Sequence, residues 1–313
     1  MTRLLLDTDP GIDDALALFL ALASAELRVE AITTVSGNVE VAQTTRNALA
    51  LLELVGRRDI PVARGSSRPL VSQRIDAGGV YGHNGLGEVQ LPEPQLRPVE
   101  QHAVEMIIEK VMTAPGEITL VALGPVTNLA LALRHEPTLA HAVHEVVLMG
   151  GALRVPGNVT PCAEFNLLAD AHAAQIVLHA GWPLRLVPLD VTERALLKRD
   201  QAHELAAHGN PITACIQHMV DYYCDGQASQ PGVFHMHDPL CLASVVRPDL
   251  LTWQKAFVDI ELTGTRTFGE TVAFFEGTGQ SLPAPPNVLA AVDVNVDDFL
   301  QFYLERVHAA FPT

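Results

Sequence analysis

Four carboxylates fall within eight residues of this chain, Asp7-Thr8-Asp9-Pro10-Gly11-Ile12-Asp13-Asp14, between the apolar run Leu4 to Leu6 and the apolar-periodic run Ala15 to Leu22. Like charges at this density repel, and they stay together only where a cation, a shared proton or a helix N-terminus offsets them. Two later stretches have the same polar character. Gly157 to Asn166 contributes Asn158, Glu164 and Asn166, and Phe234 to Pro239 contributes His235, His237 and Asp238. Oxygen donors without cysteine suit calcium or magnesium better than zinc.

The elements around these residues explain how they could meet. Short β-like runs (3–6, 29–35, 60–63, 118–122, 145–148 and 184–187) alternate with segments whose apolar residues recur every three or four positions (13–23, 41–54, 99–112, 126–133 and 169–179). Such alternation predicts an α/β chain with an open, mostly parallel, doubly wound sheet flanked by helices, a Rossmann-like core. In such a sheet ligands bind beyond the carboxyl ends of the strands. The residues found there are Asp7, Asp9, Asp13 and Asp14, then Ser36-Gly37-Asn38, Leu123-Gly124-Pro125, Met149-Gly150-Gly151 and Asp190. Acids, amides and glycines therefore converge on one edge. Two long polar connections, 64–98 and 224–237, have the length of functional loops.

Composition narrows the partners. The 313 residues show no linker-like tract, so one domain over 1–313 is expected. A net charge of -16, with Lys110, Lys198 and Lys255 as the only lysines, opposes phosphate backbones and anionic lipid. No nucleic-acid partner and no membrane partner are expected, and no apolar run approaches the ~18 residues of a membrane span. Cys162, Cys215, Cys224 and Cys241 form no C-x-x-C pair, which predicts reduced thiols and a cytoplasmic setting.

Four separated blocks, DTDPGIDDALAL at 7–18, VSGN at 35–38, MGGALRVPGNVTPCAEFN at 149–166 and HDP at 237–239, give the chain a resemblance to the inosine-uridine-preferring nucleoside hydrolase family over nearly its whole length. The resemblance implies the nucleoside hydrolase fold and calcium-dependent hydrolysis of the N-glycosidic bond of a ribonucleoside to ribose and free base, in nucleoside salvage. It further implies one calcium ion per subunit, no organic cofactor, and a homodimer or homotetramer. Carried over by position, Asp9, Asp14 and Asp238 match calcium carboxylates, and Leu123 matches a backbone-carbonyl ligand. Asp13 matches the general base for the attacking water, and His237 matches a position near the departing base, for protonation or orientation, since imidazole can carry a proton at physiological pH. Asn38 and Asn166 match groups on the ribose diol, and Asn158 and Glu164 groups at its 5′ end. Met149, Phe165 and Tyr81 complete the expected substrate contacts. Carboxylates beneath the sugar would stabilise an oxocarbenium-like transition state.

Each residue also has a plain structural reading. Asp13 and Asp14 suit a first helical turn, Asn38 a turn, Asn166 an N-cap, Asp238 before Pro239 an N-cap with proline following, Asn158 and Glu164 a surface loop, and Met149 the core. His83, His218 and His235 read as solvated or satisfied residues. Two positions depart from the family pattern: Tyr81 and Glu193 stand where histidine is frequent, which leaves the choice of base open, including a pyrimidine-restricted enzyme. The helix with Thr213, Gln217 and Asp221, followed by Tyr222 and Tyr223, is expected to contact the base. Two rivals come from other classes. A haloacid-dehalogenase-like phosphatase would use Asp7 and Asp9 but expects threonine or valine at Gly11 and a lysine near phosphate. A noncatalytic calcium-dependent nucleoside or ribose binder would have lost Asp13.

Overall fold

Leu4, Leu5 and Leu6 are all shut off from solvent, which a strand achieves only with apolar cover on both faces. A computed structural model, describing residues 1–207, 209–226, 231–279 and 281–311, shows how. Leu4 and Leu6 lie in one hydrophobic core and Leu5 in a second, on opposite faces of the sheet. The strands are β1 (Thr2–Thr8), β2 (Leu27–Thr34), β3 (Val62–Arg64), β4 (Ile118–Ala122), β5 (Glu145–Met149), β6 (Leu184–Val187), β7 (Leu196–Lys198), β8 (Val233–His235), β9 (Leu251–Ile260), β10 (Thr271–Phe275) and β11 (Val288–Val294). Nine of them form one sheet in the order β10-β9-β11-β6-β5-β4-β1-β2-β3, and β7 pairs with β8 apart from it. Pairing is parallel from β3 through to β11, and antiparallel from β11 to β9 and β10. The α/β, mostly parallel architecture is as expected; the antiparallel extension, in a C-terminal region where no strand was expected, is new.

The chain winds outward from β1 to β2 and β3, then crosses to the other side of β1 to lay down β4. That reversal is a topological switch point, where the loops after neighbouring strands part and leave a crevice. The helix Ile12–Ala23 is apolar nearly all round and buried from Ile12 to Ala21, so it is held between the sheet and the helices His237–Val246 and Val296–Ala310. Its first turn therefore sits rigidly at the crevice.

Two helix boundaries differ from expectation for local reasons. The segment expected to be helical from Val99 starts at Ala103, because Val99 is spent on a bridge to Ala63 and His102 caps the helix by accepting from the Val104 N–H. The segment expected from Ala169 to His179 is broken at Asp170, whose carboxylate accepts from the Ala173 N–H and caps a helix over Ala171–Leu178. Of the second long connection, residues 227–230 lie outside the described residues. Among the described residues no helix is long and apolar enough to cross a membrane.

Candidate active site

The loop after β1, the first turn of the helix Ile12–Ala23 and the start of the helix His237–Val246 bring the acids together. One oxygen from each of Asp13, Asp14 and Asp238 lies within 4.8 Å of the others, and all three residues are buried. Asp14 is held by four donors: the Thr8 hydroxyl and the Asp9 N–H (3.2 Å) on one oxygen, the Gly11 N–H (2.9 Å) and Asn38 Nδ2 (2.9 Å) on the other. Asp9 stands beside the triplet. Its Oδ2 accepts from the Asn38 N–H at 2.6 Å, while its Oδ1 has no hydrogen-bond partner. A Cβ at Gly37 would lie 2.0 Å from one Asp9 oxygen and a Cβ at Gly124 2.1 Å from the other, so only glycine leaves room for this carboxylate.

Burial, and next the charge of neighbouring carboxylates, pushes the pKa values of Asp9, Asp13 and Asp238 upward; burial does the same to Asp14. Such a cluster must bind either protons or a cation. The residues fit a hard divalent cation: every donor is oxygen, buried Asp9 Oδ1 and Asp13 Oδ1 are unpartnered, and two glycines cradle Asp9. The Leu123 N–H continues the β1–β4 ladder by donating to the Asp7 carbonyl at 2.9 Å. Asn166 Nδ2 donates to the Leu123 carbonyl (2.7 Å) and to that of Met149 (3.3 Å), which fixes both carbonyls at the rim of the acidic floor.

Above the floor opens a cavity of about 290 Å³, the scale of a small-molecule site. Of the expected site residues, Asp13, Asn38, Tyr81, Leu123, Met149, Asn158, Glu164, Phe165, Asn166, His237 and Asp238 line it; Asp9 and Asp14 do not appear in its lining and are buried. The opposite wall is flat and unsaturated. His235 and His237 stack with centroids 5.4 Å apart and planes within 7°, Tyr223 reaches His235 Nδ1 at 3.1 Å, and Tyr81 lies 6.1 Å from Tyr223 and favours the charged form of Asp13 against burial. Thr192 Oγ1 meets His237 Nδ1 at 2.8 Å. Burial, with the neighbouring His235, lowers the His237 pKa to about 3. Both effects favour the uncharged ring.

Several expectations need correction in detail. Nδ2 of Asn38 is spent on the Asp9 carbonyl (3.2 Å) and on Asp14, so this amide ties the floor together as well as facing the cavity. Glu164 is no loose surface residue: it is buried and caps the helix Phe165–Ala169, its oxygens accepting from the N–H groups of Asn166 (2.8 Å), Gly151 (2.9 Å) and Leu167 (3.1 Å). Asn166 is therefore not the cap, nor is Asp238, which lies inside the first turn after Met236. Asp7 stays out of the cluster, accepting from Thr33 Oγ1 and Asn128 Nδ2. Thr213, Gln217 and Asp221 do not line the cavity; Asp221 pairs with His203 and Arg199 instead. From that helix Tyr223 alone of the described residues lines the cavity. His83 is fully exposed and paired with Glu88, whereas His235, read as a satisfied residue, belongs to the wall. Val80, Val159 and Ala77 at the cavity were not foreseen. No lysine or arginine among the described residues lines the cavity, where the phosphatase alternative expects a lysine near phosphate.

The family description "Inosine-uridine preferring nucleoside hydrolase" matches residues 4–301. The pyrimidine-specific ribonucleoside hydrolase RihA of Enterobacter sp. (strain 638) is 38% identical over 308 residues, covering 97% of each chain. Uridine nucleosidase 1 of Arabidopsis thaliana is 42% identical over 266 residues, covering 84% of this chain and 79% of its own. The structure of a purine-preferring ribonucleoside hydrolase from Gardnerella vaginalis superposes with a TM-score of 0.92 at 31% identity, covering 99% of both chains. With an acidic floor, a flat wall and this likeness along its whole length, the chain belongs to the inosine-uridine preferring nucleoside hydrolase family and is a hydrolase acting on N-glycosyl bonds.

Proposed function

We propose that this chain, acting as a single domain, is a calcium-dependent ribonucleoside hydrolase in which the floor binds the ribose and the flat wall the base. The observation that carries the reading is the buried triplet Asp13, Asp14 and Asp238 at the bottom of a cavity that no lysine or arginine among the described residues lines. Asp9, Asp14, Asp238 and the Leu123 carbonyl would hold the cation. When bound, calcium supplies the Lewis acidity that makes water a usable nucleophile near neutral pH and a positive centre for a vicinal diol.

The protein's own groups do the rest. Asp13, with one oxygen unpartnered and the other environment set by Tyr81, takes the proton from the attacking water. Asn166 and Asn38 orient the ribose hydroxyls over the floor, while Asn158, Glu164 and Phe165 close the far end of the sugar beside Met149. Positive charge that develops on the ring as the glycosidic bond breaks lies above carboxylates. His237, neutral and anchored through Nδ1 to Thr192, orients the departing base through its remaining nitrogen. Tyr81 and Tyr223 pack against the base plane. The names of the two sequence relatives favour pyrimidine ribonucleosides. The free state of all four cysteines supports a reducing, cytoplasmic setting.

The test is ribose release from uridine, cytidine, inosine, adenosine and guanosine, with calcium and after exhaustive chelation. The expected result is calcium-dependent release, highest for pyrimidine nucleosides. Equal release after chelation would remove the cation from the reaction, and no release from any nucleoside would overturn the activity.

A further inference from the structure

Four acids line the cavity, and three are accounted for. Asp13 and Asp238 belong to the floor, and Glu164 is saturated by three backbone N–H groups. Glu193 is different. It caps the short helix Leu189–Thr192, its N–H donating to the Leu189 carbonyl at 3.1 Å, and is half-buried at the cavity, while its carboxylate has no hydrogen-bond or ion-pair partner among the described residues. Burial, and next the like charge of Asp190, raises its pKa. Its chain neighbour Thr192 holds His237, and His237 stacks on His235; Glu193 lines the same cavity and is not one of the clustered floor acids. A half-desolvated acid with no protein donor is costly, and a ligand with an N–H group at that point satisfies it.

Resting on the reading of the site as a ribonucleoside hydrolase, we infer that Glu193 is a specificity-determining residue, accepting a hydrogen bond from the exocyclic amino group of a nucleobase and repelling a carbonyl there. A carboxylate takes an amino N–H, as acidic side chains do with cytosine N4, but meets a carbonyl oxygen with like partial charge. Cytosine and uracil differ at C4 in this way, and adenine and hypoxanthine at C6. The residue therefore distinguishes aminated from oxygenated bases.

The test compares kcat/KM for cytidine against uridine, and adenosine against inosine, in the parent protein and in Glu193→Gln and Glu193→Ala. The cytidine-to-uridine ratio is expected to fall about tenfold in both variants, the size of one hydrogen bond to a charged group, with the adenosine-to-inosine ratio moving the same way. Glu193→Asp, which keeps the charge, should retain the direction of the preference. If a variant loses turnover, calorimetric binding of cytidine and uridine to the calcium-loaded protein reads the same ratio. An active parent whose ratios move less than twofold in Glu193→Gln overturns the role of Glu193 alone. A parent that releases ribose from no nucleoside overturns the activity and this inference with it.

Discussion

Replacing Gly124 by alanine tests whether Asp9 is a cation ligand without touching any carboxylate. The added Cβ would sit 2.1 Å from Asp9 Oδ1 and 2.8 Å from Cγ, against about 3.4 Å for an ordinary contact, so the carboxylate must move by roughly 1 Å. Gly124 does not occupy the left-handed region, and the substitution therefore adds no backbone strain. The carboxylate has little freedom to retreat. Its other oxygen is tied to the Asn38 N–H at 2.6 Å, and Gly37 backs it on that side. A displacement of this size exceeds what a preorganised ligand tolerates, about 0.5 Å. We expect calcium affinity, titrated calorimetrically into chelator-stripped protein, to weaken about 10- to 100-fold, or roughly 1.4 to 2.7 kcal/mol. Gly37→Ala, whose Cβ would lie 2.0 Å from Asp9 Oδ2, should do the same. If both variants fold and bind calcium within twofold of the parent, Asp9 is not a ligand and the floor consists of the Asp13, Asp14 and Asp238 triplet.

Asp13→Asn should lower kcat about 10²- to 10⁴-fold, the range of a lost general base, while the calcium Kd stays within about tenfold; equal loss of metal would move Asp13 into the ligand set. 2′-Deoxyuridine should be hydrolysed roughly 10- to 100-fold less efficiently than uridine, having lost one arm of the diol, and comparable rates would sink chelation of the sugar. The chelated protein should lose stability as pH rises. Burial lifts Asp7 from 3.8 to about 7 and also lifts the floor acids, so the folded state binds more protons than the unfolded one. That stabilisation is complete below about pH 4 and lost on passing through pH 7 to 8, roughly 4 kcal/mol for Asp7 alone. Urea unfolding of chelated protein between pH 5 and 8 reads the slope, and calcium should flatten it. A chelated protein most stable at pH 8 would contradict the raised carboxyls.

The floor was legible in the sequence because it conflicts with everything around it. Acids at 9, 13 and 14 beside leucines are not ordinary core, and a strand followed at once by a buried helix cannot leave them in water; Asp7, which shares the pattern, is buried on Thr33 and Asn128 instead. The distant partners, Asp238 and Asn166, have no such signature; alone, each suits a helix start, and only the ordered blocks joined them to the turn. The β9–β11 extension escaped notice because its strands mix exposed and buried positions at the sheet edge, as in β9 and β10, without the continuous apolar runs of the central strands.

The wall was harder to read, for a physical reason. On the helix Pro211–Gly226, expected to contact the base, the polar residues Thr213, Gln217 and Asp221 recur at four-residue spacing ahead of Tyr222 and Tyr223. Yet Ile212, Cys215, Ile216, Met219, Val220 and Tyr223 recur with the same period and are buried. A helix packed over a cavity turns its apolar stripe inward, so the residue that reaches the ligand is the polar-tipped end of that stripe, Tyr223. The same logic places His235 on the wall from a strand of three residues. Groups that bind a flat apolar base are those that pass for ordinary core, whereas groups that bind a cation cannot. Hence a reading from residue types finds the reaction before it finds the substrate, and the exception is an unpaired charge such as Glu193, which neither core nor cation explains.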